Sequence, residues 1–315
     1  MIRIFWTLLL FFSCVAWQAE STRNWEEDIY RLLDQQNSTG ALEVLEEWKA
    51  DNGENNPQYW VAGGNIWFQI AFKPTLEITE LPYGKYKLGS AKGKELTITN
   101  PKTGDVVGKI GEGEPVIDTN AMKKALSFLD EGVRRNPHRL DIFTGRAHLY
   151  RTMGDLKGEL IALESLAKDP KPKNGKYETG PGRILEGEIE DYQVDMLASY
   201  AREHLQMQNE ADDRAGKAVA ELLIKIFPKR PHGYNFMGAL ASYEGNWTEV
   251  KKWLLLALEQ DPDDSLVIAN LGYCYEKLGD TNSSIEQYKR VINLNNNPEQ
   301  VKRAKAKLTE FEPEP

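Results

Sequence analysis

Four histidines, His138, His148, His204 and His232, are the side chains of this sequence whose ordinary titration range suits proton transfer or metal binding near neutral pH. Such chemistry needs partners at fixed spacing. The sequence has no HExxH pair, no phosphate-cradling Walker loop, no GxSxG nucleophile turn and no GxGxxG fingerprint. The densest group of carboxylates, EGEIED at 186–191, has four acids that could hold a cation, and it reads equally well as the solvated start of a helix. With no local arrangement of nucleophile, acid, base or ligand, no catalytic, cofactor-binding or metal-binding residues are expected, and binding is expected ahead of catalysis.

Charge narrows the partners. Against 39 Lys and Arg stand 48 Asp and Glu, a formal net charge of -9, so there is no general attraction to phosphate backbones or anionic lipid, and nucleic acid is not an expected partner. At the N-terminus, MIRIFWTLLLFFSCVAWQAES sets Arg3 before an apolar run at 4–12 and small residues at Cys14 and Ala16. That order reads as a signal peptide over 1–16 and an exported chain, periplasmic or secreted. The run is short of the roughly 20 apolar residues that span a bilayer, and no later segment is apolar enough for a transmembrane span. An alternative is a lipid anchor at Cys14, which follows Leu10, Phe11, Phe12 and Ser13, although Phe11 stands where the lipoprotein motif usually has leucine. Cleavage after Ala16 leaves Cys274 as the single cysteine, so the exported fold is expected to hold by packing without a disulfide.

The rest of the chain is periodic. Setting ANLGYCYEKLGDTNSSIEQYKRVINL (269–294) beneath NFMGALASYEGNWTEVKKWLLLALEQDP (235–262) places Gly272 34 residues after Gly238 and Gly279 34 after Gly245. Leu271 aligns with Met237, Tyr288 with Leu254 and Val291 with Ala257. Ile268, Leu271 and Tyr275 recur at three- and four-residue steps, the spacing of one apolar helix face, and Gly272 on that face lets a neighbouring helix approach closely. Gly279 ends the helix, because left-handed backbone just past a helix end is least costly for glycine. Asp280 begins the next helix, whose apolar residues are Ile285, Tyr288, Val291, Ile292 and Leu294.

Small residues at the crossing of two antiparallel helices, with a proline after the second, resemble the tetratricopeptide repeat. Tyr234, Met237, Gly238, Gly245, Trp247, Ala257 and Pro262 follow that pattern; so do Ile268, Leu271, Gly272, Tyr275, Gly279 and Tyr288, with Asn296 where the proline is usual. The resemblance implies two clear repeats over 231–297 and degenerate ones over 138–230, among which Phe143, Ala147, Tyr150, Gly154 and Pro170 mark one hairpin. It further implies an N-terminal hairpin over 17–56, a hairpin over 57–137 interrupted by an insert at 73–118, and a capping helix and tail at 298–315. The fold class implied is all-α, a superhelical array of antiparallel helix hairpins carrying a small β-hairpin insert.

That insert breaks the helical period with Pro74, Pro82 and many glycines, while LTIT (96–99) and VVGKI (106–110) alternate on either side of the turn signal NPKTGD. PKPKNGKYETGPGR (170–183) reads as a linker or exposed loop. Stacked hairpins form a concave surface from the first helix of each repeat. The resemblance places Asn235, Ala239, Ser242, Ala269, Tyr273 and Glu276 along it, and His148 near Thr144 and Arg151, where it could meet an anionic ligand or stand half-exposed without a role. Some tetratricopeptide proteins grip a peptide's terminal carboxylates there with Lys and Asn; Asn235 and Ala269 stand at the lysine positions, and Ala239 and Tyr273 at the asparagine positions, so that mode is not implied. The expectation is an exported scaffold or adaptor that holds a protein or peptide through Thr144, His148, Arg151, Asn235, Ser242, Tyr273 and Glu276. Two alternatives stay open: an enzyme or small-ligand binder with its site in or beside the 73–118 insert, and a purely structural envelope component.

Overall fold

In four hairpins the turn between paired helices is built from two adjacent residues, the first in left-handed backbone and the second an Asn or Asp. Gly245 and Gly279 have φ of 70° and 78°. Gly279 N–H donates to Glu276 C=O and Asp280 N–H to Tyr275 C=O, at 3.1 and 2.9 Å, and Gly245 and Asn246 make the same pair of bonds to Ser242 and Ala241. The last carbonyls of the helix are thereby satisfied. The side chains of Asn246 and Asp280 then accept from Glu249 N–H and Ser283 N–H, capping the helix that follows. Gly154 and Asp155 repeat the turn with a φ of 67°, and Gln36 and Asn37 repeat it with Gln36 carrying the positive φ in place of glycine.

The computed structural model describes residues 23–78, 87–88, 96–99, 102–103, 106–207 and 209–311; the signal pattern at 1–16 and Cys14 lie outside them. Among the described residues, six hairpins follow one another: α1 (Trp25–Asp34) with α2 (Ser38–Ala50), α3 (Pro57–Ala71) with α4 (Thr119–Arg135), and α5 (Leu140–Thr152) with α6 (Leu156–Lys168). Then come α7 (Ile189–Gln206) with α8 (Glu210–Ile226), α9 (His232–Tyr243) with α10 (Trp247–Gln260), α11 (Ser265–Lys277) with α12 (Thr281–Leu294), and a closing helix α13 (Pro298–Phe311). Each second helix also packs on the first helix of the next hairpin. The result is a superhelical array whose buried residues form successive local clusters in place of one centre.

Within the hairpins, close approach is set by glycine against a bulky side chain. A Cβ on Gly272 would lie 3.0 Å from Cε1 of buried Tyr288, and one on Gly216 would lie 3.0 Å from Leu205 Cδ2. On Gly64 it would lie 2.9 Å from Leu129 Cδ2, and on Gly158 it would overlap the Tyr150 ring. Gly238 is looser, at 3.3 Å from Leu254 Cδ2. Separations of this size are inside the optimal contact distance of two carbons.

Between α3 and α4, strands β1 (Phe72–Ile78), β2 (Lys87–Leu88), β3 (Leu96–Thr99) and β4 (Val106–Ile117) form an antiparallel sheet in the order β1-β4-β3-β2. The expected hairpin is the β3–β4 pair, with Leu96 opposite Ile110. The sheet is larger than that hairpin, because β4 continues through Gly111 and Gly113 to pair with β1, Phe72 opposite Ile117; glycines at those positions read in the sequence as breaks. Asp118 N–H donates to Ala71 C=O at 2.7 Å, so the insert leaves and re-enters the array at one point and the flanking helices stay paired. Residues 170–183, expected as a linker or exposed loop, carry most of a short hairpin of β5 (Glu178–Gly180) and β6 (Arg183–Ile184). Lys171 N–H to Pro137 C=O and Glu178 N–H to His138 C=O, 2.9 and 2.8 Å, strap it to the corner between α4 and α5.

Two buried polar clamps join neighbouring hairpins. The Arg139 side chain, 2% exposed, forks onto Asp141 at 2.7 and 2.8 Å and reaches Gln58, whose amide in turn holds Glu26 of α1 at 2.8 Å. His204, near the end of α7, lies between Asp212 of α8, 2.8 Å from Nδ1, and buried Glu159 of α6, 3.0 Å from Nε2. Burial opposes protonation of His204, but the hydrogen bonds to Glu159 and Asp212 outweigh it and raise its pKa above the ordinary 6.5, with Arg151 acting weakly against them. The His204 hydrogen bond, and after it Asn209, holds the Asp212 carboxyl below its usual range.

Gly272→Leu is expected to lower stability by about 1–3 kcal/mol, because the added side chain must displace Tyr288 and separate the helices. Gly238→Ala meets a flexible leucine at 3.3 Å and gains about 1 kcal/mol of helix propensity, so its thermal midpoint should move little. A Gly272→Leu chain that melts like the parent would show the register to be wrong. For the His204 clamp, a raised pKa means that protonated His204 contributes fully below about pH 6.5 and that the contribution is lost as pH rises through the higher folded value; the Asp212 contribution is lost only on acidification below about pH 4. Melting curves taken from pH 5 to 9 should show the parent's advantage over His204→Gln shrinking as pH rises, and parallel pH profiles would refute a charged clamp.

Candidate functional site

The first helices α9 and α11 are linked by one polar contact, in which Asn270 Nδ2 donates to Asn235 Oδ1 at 3.0 Å. The contact leaves the Asn235 amide N–H groups and the Asn270 carbonyl oxygen without a protein partner among the described residues. A free donor beside a free acceptor matches what the C=O and N–H groups of an added extended chain require.

Around this pair lies a cleft of roughly 250 Å³ whose lining includes Asn235, Ser242, Trp247, Asn270, Tyr273 and Arg303. Tyr273, 39% exposed, stands edge-on to Trp247 with ring centroids 5.7 Å apart and planes at 84°. Lys277 Nζ lies 5.1 Å from the Tyr273 centroid, so the ring offers an apolar surface with a cation at one side. Ser242 commits its O–H to Ala239 C=O at 2.6 Å and has acceptor capacity left. Beneath, the Cys274 thiol is buried and donates to Trp247 C=O at 3.2 Å; burial pushes its pKa up, which keeps it as an inert packing group.

A second cleft, of roughly 260 Å³, adjoins the first and shares Asn235 and Ala239 with it. Arg202 and Gln206 line it from α7, and His232, Phe236 and Tyr243 from α9. The Nδ1 of His232 is buried and has no hydrogen-bond partner. Burial first, and then Arg230, lowers the pKa of His232 below 6.5, so the ring is neutral at pH 7. No carboxylate lines either cleft.

Asn235, Ser242 and Tyr273 therefore come together, as the groove reading requires. Glu276 lines neither cleft, since its Oε1 accepts from Lys307 Nζ of α13 at 3.4 Å. Thr144, His148 and Arg151 lie together on α5, also outside both clefts. Thr144 donates to Asp141 C=O and accepts the Tyr200 O–H at its own C=O, both at 3.0 Å. His148 is exposed beside Phe68, and Arg151 is paired with Glu203 over the Tyr200 ring. Sequence reasoning does not mark Asn270, Arg202, His232 or Arg303 as groove residues. For Arg303 a signal exists: it lies 34 residues after Ala269, which lies 34 after Asn235, so carrying the register into α13 finds it. Arg202 is 33 residues before Asn235, one step off the repeat, and leaves no such mark. Among the described residues, no three His, Cys, Asp or Glu side chains gather as a metal site, and no helix is long and apolar enough to cross a membrane.

Stacked antiparallel hairpins with a lined cleft on their first-helix face define a helical-repeat protein. Residues 253–286 match the family model described as tetratricopeptide repeat, so the stacked hairpins include a repeat of that kind. Among solved structures, YrrB, a TPR protein with an unusual peptide-binding site, is 14% identical over 60% of this chain and 85% of its own, with a TM-score of 0.35. PilW, a type IV pilus biogenesis factor, is 9% identical over 88% of this chain and 96% of its own, with a TM-score of 0.35. MamA of Desulfovibrio magneticus RS-1 is 13% identical over 56% and 87%, with a TM-score of 0.34. Superpositions this partial leave the fold resting on the chain's own hairpin register. No curated protein matches the chain.

Proposed function

We propose that this chain is an exported scaffold or adaptor that holds a segment of another protein, or a free peptide, extended along the first-helix face of α9 and α11. The observation that carries the reading is the Asn235 and Asn270 pair, with an unused donor and acceptor set beside exposed Tyr273. An extended segment presents one N–H and one C=O per residue and turns alternate side chains to one side. The two amides suit its backbone, and the Tyr273 and Trp247 rings suit an apolar side chain. Asn235, Ser242 and Tyr273 are the binding residues in this reading; Thr144, His148, Arg151 and Glu276 stay outside it. The N-terminal pattern at 1–16 supports the exported location.

Partner capture with the full chain is the test. Tyr273→Ala and Asn235→Ala change an exposed and a half-buried side chain, so the fold should persist, and each is expected to cut recovery of the captured partner about tenfold. His148→Ala should leave recovery unchanged. A partner recovered equally with and without the two groove side chains would reject the groove.

A further inference from the structure

Charge is distributed unevenly between the groove and the rest of the molecule. The chain as a whole carries -9, yet the two adjoining clefts are lined by two arginines and no acid. Several guanidinium groups elsewhere are neutralised within the fold, Arg139 by Asp141, Arg151 by Glu203 and Arg230 by Asp191, while Arg183 and Arg214 are exposed without an ion pair among the described residues and line neither cleft. Arg202 and Arg303 are exposed and make no ion pair among the described residues; the side-chain contact of Arg303 is a 3.5 Å hydrogen bond with Gln300 Oε1. A separate observation points the same way. The cleft that holds Arg202 also holds His232, whose buried Nδ1 has no partner, and a buried polar atom left unpaired is costly until an incoming group satisfies it.

We infer that the groove takes an extended acidic segment of another protein, with one Asp or Glu carboxylate against Arg202 and His232 and another against Arg303. The segment's backbone crosses the Asn235 and Asn270 pair between them. This deepens the binding role proposed above and rests on it. A planar guanidinium presents a fork of N–H donors that matches a carboxylate, and two such forks at the ends of an uncharged floor select for acids at both ends of what lies on it. The acids nearest the groove do not compete for these sites. Glu276 is paired with Lys307 and Glu203 with Arg151, while Asp195 and Asp264 act on His232 electrostatically without lining its cleft. Nor does the net charge forbid an acidic partner, because at physiological salt charges farther than about 8 Å are largely screened. A bound carboxylate therefore responds mainly to the arginine beside it. A nucleic acid backbone would need many more cations than two.

A displayed library of random nine-residue peptides, selected on the full chain, supplies the probe. Enriched peptides are expected to carry several times the input content of Asp and Glu. The most enriched peptide, followed by fluorescence anisotropy, should lose affinity about two- to fivefold with Arg202→Gln and again with Arg303→Gln, and should weaken comparably when its acids are replaced by Asn and Gln. Both arginines are exposed, so neither change threatens the fold. In the NMR titration of the complex, the pKa of His232 should rise. Neutral peptides whose binding depends on Tyr273 would overturn the acidic assignment and leave the groove reading standing. Acidic peptides indifferent to both arginine changes, or no enrichment at all, would also overturn it, with partner capture then deciding the groove by itself. Enrichment unaffected by Tyr273→Ala and Asn235→Ala would overturn both.

Discussion

Two helices of a hairpin come close where one of them lacks a side chain, and the array depends on such a contact in five of the six hairpins among the described residues. Gly272 admits the Tyr288 ring, Gly64 admits Leu129, Gly158 admits Tyr150 and Gly216 admits Leu205. Interiors are packed as densely as organic crystals, so such a contact fixes helix separation and crossing together. Those quantities in turn decide where the outer faces of the first helices lie. Gly238 shows the connection directly, for it makes the close approach to Leu254 and also lines the groove. Hairpin packing and the lining of the cleft meet there at one residue.

The same contact explains why part of the repeat is plain in the sequence and part is not. In α3, α9 and α11 the glycine is on the first helix and the bulky residue on the second, so Gly238 and Gly272 align letter for letter. In the next two hairpins the roles are exchanged. Gly158 and Gly216 are on α6 and α8, and Tyr150 and Leu205 fill them from α5 and α7. The geometry is conserved while the letters swap helices, and aligning letters then finds only weak repeats over 138–230. The turns stay readable because their chemistry is local: left-handed backbone at Gly154, Gly245 and Gly279, each followed by an Asx cap. Asn296, which replaces the usual proline, stitches the end of α12 to the start of α11, donating to Asp263 C=O at 2.9 Å and pairing with the Ser265 hydroxyl.

What the sequence hides is non-local. β1 pairs with β4 across 32 to 45 residues, from Ile78 opposite Ile110 to Phe72 opposite Ile117, and Pro74 and the glycines interrupt the alternation that would have announced it. The strap at 170–183 looks like a loop because two of its ties run to carbonyls of Pro137 and His138, which local composition cannot reveal. His204 looks isolated in the sequence, yet it bridges Glu159, 45 residues before it, and Asp212, 8 after it. Arg139 reaches Gln58, 81 residues away. Side chains that are scattered along the chain become clamps only when the hairpins stack.

That division of labour bears on how the groove would discriminate. The positions of Asn235 and Asn270 are set by helix backbones and by their bond to each other, so the array has little freedom to lose when a segment arrives. The ordering cost falls mainly on the incoming chain. Its compensation is modest at each contact, about 1 kcal/mol net for a hydrogen bond and about 0.2–1 kcal/mol for an exposed ion pair. With increments so small, a segment is retained only if it meets several of them together, and a segment that covers the asparagines without pairing them pays the larger penalty of burying an unsatisfied amide. A stiff groove with few charges would thus select by spacing, and that spacing would come from the same glycine contacts that hold α9 to α10 and α11 to α12.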